Sequence, residues 1–283
     1  MRESAANTAG GGGRPLGIPT CLHRGAPERP EGMCQFAERS RGLRDACIVR
    51  GTPVVSGNVS FYNETEGRAV LPTPTVGMVG ILERDTDGCE IAFPESGLDI
   101  ILIGETRDEL GGSEWQQSAM PDALAAPPRV DLDREKALVE FFLAAYEHRL
   151  LRSAHDVSNG GLAIALAECA MDGIGCHIEF ADHANVDTIA LLFSESQGRA
   201  LVSTSQPQAV VNLAKQHGIN AMRIGRTETA TFLIERNGIP LIRTAVPELA
   251  RIWRTSFALL LGGDSVDDVI RGIGEEAPEV LAH

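Results

Sequence analysis

The sequence predicts a layered α+β protein built from two domains. Three observations carry that expectation. Short aliphatic runs alternate with helical apolar periods through the second half of the chain. A hydrophobic content of 43% with 23% charged residues fits a soluble globular chain. At 283 residues there is length for two cores of ordinary size.

Residues 1–26 contain the run Gly10 to Gly13 and no apolar period, so they are expected to be disordered. Glu28-Arg29-Pro30-Glu31 then opens a helix, with proline in the first turn and acids near its positive end. Met33, Phe36, Leu43 and Cys47 recur at roughly helical spacing, and Gly51 ends the element. Strands are expected near 53–60, 75–83, 89–93 and 98–103, the last being the apolar run from Leu98 to Ile103 that stops at Gly104. The stretch 119–132, with Pro121, Pro127 and Pro128, reads as an interdomain linker. The expected division is therefore a sheet-and-helix domain over 27–125 and an α/β domain over 126–283.

In the second domain a helix over 133–150 places Leu138, Phe141, Phe142 and Ala145 on one face. Ala154 to Val157 leads into Ser158-Asn159-Gly160-Gly161 and a helix from Leu162 to Met171. A strand at 175–180 and an apolar stretch to Phe193 follow. After them come a strand at 200–203, a helix at 206–217, and strands near 219–225, 231–236 and 239–244. A last helix starts at Pro247.

The net charge of -14 argues against a nucleic-acid partner, which would need a basic surface. No apolar run is long enough to span a membrane, and the first residues lack the apolar core of a secretory signal. The six cysteines are scattered and none forms C-x-x-C, so reduced thiols in the cytoplasm are expected. No lysine-centred phosphate loop occurs; phosphates would have to be handled by metal ions, helix N-termini and a few arginines.

One run stands out chemically. Val54 and Val55 lead into Ser56-Gly57-Asn58-Val59-Ser60, which offers a glycine, an amide and a hydroxyl to a phosphate and its metal. Taken alone, the same run is a turn at a strand end. The blocks Val54–Glu64, Leu71–Gly80, Gly104–Ser113, His155–Gly161 and Ser194–Gln197 occur in an order that resembles the large, synthetase subunit of phosphoribosylformylglycinamidine synthase. The likeness runs from about residue 27 to 283 and is to the second of the family's two aminoimidazole ribonucleotide synthetase-like units, the carboxy-terminal half.

The resemblance implies ATP-dependent conversion of formylglycinamide ribonucleotide to its amidine in purine biosynthesis. ATP and Mg2+ would serve that reaction, and a glutaminase subunit and a small bridging subunit would be partners. It also implies that the catalytic histidine lies in an amino-terminal half outside this sequence, so no catalytic residue is assigned and the chain alone is expected to be inactive. Gly57 would touch ATP, Asn58 would bind magnesium and Ser60 would contact the ribonucleotide. Asp156, Gly160, Gly161, Ser194, Glu195, Ser196 and Gln197 would form an auxiliary site, whose alternative is a helix cap and a turn. His155 reads as a hydrogen-bonded structural histidine more readily than as a base.

One departure matters. The family pattern Asp-Cys-Leu-Asn-Phe-Gly-Asn-Pro-Glu corresponds to Thr20 through Glu28, so the aspartate of the ATP site is Thr20 here. A truncated non-enzymatic remnant, or a stand-alone ATP-dependent kinase or synthetase of the same superfamily, are the other readings. Without its counterpart, the first domain's sheet is expected to pair with a second copy or to aggregate.

Overall fold

A computed structural model describes residues 2–83, 88–181 and 186–262. The chain opens with a helix, Arg2–Gly10 (α1), and a strand, Arg14–His23 (β1). The expectation of disorder over 1–26 therefore does not hold. Ala5, Ala6 and Ala9 are all buried, and alanine is the strongest helix former. The glycine run is the turn between helix and strand, with Gly12 at a φ of 88°.

A long helix, Pro30–Arg50 (α2), carries the chain to Val54–Ser60 (β2), which pairs parallel to β1. Gly51 closes α2 in the left-handed conformation, and its amide bonds to carbonyls of the last turn. Glu64–Thr65 (β3) and Arg68–Ala69 (β4) form a small hairpin. Pro74–Val76 (β5) and Val79–Ile81 (β6) then pair antiparallel to β1, completing a four-stranded sheet. Much of this sheet is open: Val54, Val55, Val59, Val79 and Ile81 are all exposed.

Asp99–Ile103 (β7) begins the second domain, because it pairs with strands from the far end of the chain. Its neighbours are Ala200–Thr204 (β10) and Ala221–Glu228 (β11). The sheet is completed by Ser153–Asp156 (β8), Gly175–Phe180 (β9), Thr231–Arg236 (β12) and Ile239–Ala245 (β13), in the order β13-β12-β9-β11-β7-β10-β8. The boundary thus falls before residue 99, and the division at 125 is corrected. The proline-rich stretch is a loop within this domain, ending where the Asp131 side chain caps the next helix. Residues 89–93 form no strand; the amide of Phe93 donates instead to the carbonyl of Cys169.

Every residue of β7 is buried, and its alternation feeds two cores. Ile100 and Leu102 pack with Gly161–Ala170 (α5), Thr188–Phe193 (α6) and the start of Val246–Leu260 (α8). Ile101 and Ile103 pack with α1, Leu132–Glu147 (α4) and Pro207–Gln216 (α7). A short helix, Glu114–Ala119 (α3), sits in the loop after β7. The domains meet where α1 and α2 rest on α4. There the Arg50 and Glu135 side chains, both almost fully buried, approach to 3.6 Å.

Candidate functional site

The first candidate group lies on the paired strands β1 and β2. Their register sets Thr20 beside Gly57, Cys21 beside Asn58 and His23 beside Ser60. A Cβ at Gly57 would lie 2.9 Å from the Thr20 hydroxyl and 3.2 Å from the Thr20 carbonyl oxygen, so the neighbouring strand crowds this position. Gly57 and Asn58 are exposed, on a strand with one free edge. The Ser60 hydroxyl is engaged by Asn63, whose amide nitrogen donates to it at 3.1 Å and to the Ser60 carbonyl at 2.8 Å. The same nitrogen donates to the Arg24 carbonyl at 3.1 Å, pinning the 60–63 turn to the end of β1.

Asn58 offers one hard oxygen of the kind magnesium accepts, and Thr20 a neutral hydroxyl. Among the described residues no cluster of three His, Cys, Asp or Glu could hold a metal ion. Asn58 and Thr20 are both neutral, so the pair brings no charged ligand of its own to a magnesium ion.

The second group lies in the second domain, where the chain uses nearly every candidate internally. Gly160 and Gly161 both have positive φ, 76° and 72°, at the start of α5. Cβ atoms there would collide with Ile164 and with the backbone of Phe193 and Ser194. The amide of Gly160 donates to Glu195 Oε1 at 2.8 Å, and the amide of Glu114 donates to the same oxygen at 2.9 Å. One carboxylate thus caps two helices and occupies an amide of the Gly160-Gly161 block. Ser196 Oγ accepts from the Arg107 amide at 3.0 Å. Gln197 Nε2 donates to the Glu195 carbonyl at 2.9 Å, and this residue lines a small cavity of about 70 Å3 with Gly104, Arg107 and Arg134.

Beneath this block lies Arg199, fully buried. Its guanidinium donates to the Ser196 carbonyl at 2.9 Å, the Thr106 hydroxyl at 3.0 Å and the Ser194 carbonyl at 2.5 Å. Sequence reading missed Arg199, although an arginine that follows a polar block and opens an apolar strand was a visible signal. Ser194 is also fully buried, and its hydroxyl has no hydrogen-bond partner among the described residues.

Asp156 belongs to a different cluster. His155 lies between two carboxylates, with Nε2 2.9 Å from Glu168 and Nδ1 3.3 Å from Asp156. Burial alone would lower the imidazole, but hydrogen bonds to Asp156 and Glu168 outweigh it and push the pKa up to about 9. His155 is then a cation at neutral pH and cannot take up a proton as a base.

Comparison with known proteins adds a second line. Residues 1–82 match the N-terminal domain of AIR synthase related proteins, and residues 95–233 match their C-terminal domain. Phosphoribosylformylglycinamidine synthase subunit PurL of Anaeromyxobacter sp. (strain Fw109-5) is 41% identical over 99% of this chain and 38% of its own length. The PurL subunit of Moorella thermoacetica is 43% identical over 92% of this chain and 36% of its own. The chain therefore spans little more than a third of these relatives. Solved structures of Thermotoga maritima PurL complexed with FGAR and with ATP, and of PurLQS, align with TM-scores of 0.68, 0.62 and 0.62. Identities there are 20–22%, over 87–88% of this chain and 41–42% of theirs, a likeness of fold.

Proposed function

The chain belongs to the AIR synthase related protein family, and from that premise we propose that it is the carboxy-terminal unit of an ATP-dependent synthetase of the PurL kind. The reaction is conversion of formylglycinamide ribonucleotide to formylglycinamidine ribonucleotide. The observation that carries this reading is the pairing of Thr20 with Gly57, and of their neighbours with Asn58 and Ser60, on two adjacent strands. The resemblance assigns those positions to one ATP and substrate wall, and the register brings them together. The identity of 41–43% to named PurL subunits supports the same substrate.

In this reading ATP transfers its terminal phosphoryl group to the amide oxygen of the ribonucleotide, converting a poor leaving group into phosphate. Ammonia then adds to the activated carbon and phosphate departs. The backbone at Gly57 lies against the nucleotide, Asn58 supplies a neutral oxygen, and the Ser60 hydroxyl, already oriented by Asn63, meets the ribonucleotide. The open face of the first-domain sheet packs against an equivalent sheet from the other half of the synthetase, or from a second copy of this chain. A glutaminase subunit and a small bridging subunit complete the assembly and deliver ammonia.

A second reading, a non-enzymatic remnant, is favoured by Thr20, whose hydroxyl brings no charge to a site where the family pattern has a carboxylate. One experiment separates the two. The chain is co-purified with the amino-terminal segment of a PurL relative and assayed for amidine with ATP, magnesium and ammonia. The synthetase reading expects turnover in the complex and none from the chain alone. A folded complex without turnover establishes the remnant; turnover by the chain alone overturns the half-enzyme reading.

A further inference from the structure

The turn after β2 holds an uncommon conformation. Tyr62 has a φ of 60°, which a tyrosine rarely adopts. Such strain persists where the surroundings over-determine the backbone. They do so here. The Tyr62 amide donates to the Gly25 carbonyl at 3.3 Å, and the Tyr62 hydroxyl donates to Glu28 ahead of α2. Phe61 meets Phe36 of α2 edge-on, with ring centres 5.6 Å apart.

The turn brings Asn63 back over Ser60, and every polar atom of Asn63 has a partner there. Its amide donates to the Arg24 carbonyl at 2.8 Å, and its carbonyl accepts from the Val70 amide at 3.1 Å. The side-chain nitrogen reaches the Arg24 carbonyl, the Ser60 carbonyl and Ser60 Oγ. Two of these acceptors are carbonyl oxygens, which fixes the end of the side-chain amide that faces them. Asn63 Oδ1 lies 3.3 Å from the same hydroxyl. A half-buried serine at a strand end is otherwise free to change rotamer. Ser60 is held by a side chain that the backbone itself holds.

We propose that Asn63 is a positioning residue for the ribonucleotide, acting only by keeping the Ser60 hydroxyl in one rotamer. The role rests on the synthetase reading, in which Ser60 meets the ribonucleotide. A hydrogen-bonding group ordered before the ligand arrives spares the cost of ordering it on binding. The consequence is selective: Asn63 and Ser60 govern affinity for formylglycinamide ribonucleotide, and ATP, which lies against Gly57, is left alone.

The test is a double-mutant cycle in the co-purified complex, with Asn63→Ala, Ser60→Ala and the two combined. For each, KM is measured for the ribonucleotide and for ATP, together with kcat and the denaturation midpoint of the chain. Ser60→Ala should raise KM for the ribonucleotide about ten-fold, the value of one hydrogen bond to a charged or strongly polar group. Asn63→Ala should come close to that, and the double variant should be no worse than Ser60→Ala. KM for ATP should stay within about two-fold throughout. Asn63→Asp, which keeps the size but offers no donor, is the second probe and should match Asn63→Ala. A merely structural asparagine would instead shift both KM values and kcat along with the midpoint, and its effect would multiply that of Ser60→Ala. Either of those results overturns the positioning role, and so does a ribonucleotide KM that neither single variant changes. A parent complex without turnover overturns the synthetase reading, and with it the contact through which Asn63 acts.

Discussion

Asn58 stands exposed on a strand with a free edge, whereas Glu195 already holds the amides that open two helices. Both lie in blocks that resemble ligand-binding motifs, but the chain completes only the second by itself. In the second domain, Glu195 and Ser196 close on backbone amides of the 104–114 and 158–161 loops, Arg199 donates to the Thr106 hydroxyl and Gln197 to the Glu195 carbonyl. In the first, Gly57 is fitted to Thr20, but Asn58 is exposed and no side-chain hydrogen bond holds it among the described residues. The difference teaches that a motif's ligand can be internal. A carboxylate at a helix N-terminus satisfies the same amides as a phosphate.

The sharpest way to break this comparison is Arg199→Ala. The substitution removes three hydrogen bonds and leaves the Ser194 and Ser196 carbonyls unpaired in a buried pocket. The expected loss is about 3–5 kcal/mol, the range for breaking a buried charged network, read as a lower denaturation midpoint at unchanged m-value. A loss under about 1 kcal/mol would mean that the block is not a structural latch, and its reading as a ligand site would return.

The fold was legible wherever one side-chain period ran through a whole element. From Leu98 to Ile103 the residues announce a buried strand, and Leu138, Phe141, Phe142 and Ala145 bury one face of α4 as their spacing predicts. The first helix was not legible, because its buried face is alanine, too small to stand out against the following glycines. The domain boundary was misplaced because prolines in a surface loop mimic a linker, while strand pairing across a hundred residues leaves no local signal. Within the site, the glycines could be found by type, but their reasons could not. Gly160 and Gly161 are required by Ile164 and by the 193–194 backbone, contacts that only the folded chain creates.

An intermediate effect should come from pH. His155 has a folded pKa of about 9, above its ordinary value of 6.5, so it stabilises the fold fully below pH 6.5. That stability is lost as pH rises toward 9, at no more than about 1.4 kcal/mol per pH unit. Denaturation between pH 6 and 8.5 should show the decline, and His155→Gln should flatten it. Higher pH is avoided because burial pushes Cys176 up to about 12 and Cys169 in the same direction. Those thiols ionise first in the unfolded chain and would add their own loss. A parent profile as flat as the variant's would remove the second domain's buried cation from the comparison.

The smallest effect on stability, and the most telling for function, belongs to Asn58→Ala. The side chain is exposed and no hydrogen bond holds it among the described residues, so unfolding should shift by less than about 0.5 kcal/mol. If Asn58 only shaped a strand end, turnover of the co-purified complex would follow that small shift. If it supplies an oxygen to the nucleotide site, apparent affinity for magnesium-ATP should weaken about ten-fold or more while the midpoint stays in place. The separation of the two readouts is what matters. In the second domain stability and site geometry are one property, because Glu195 and Arg199 serve both. In the first they can be separated, because among the described residues no hydrogen bond is spent on the Asn58 side chain. A variant that lost stability and turnover in equal measure would show that this strand, too, is complete without a ligand.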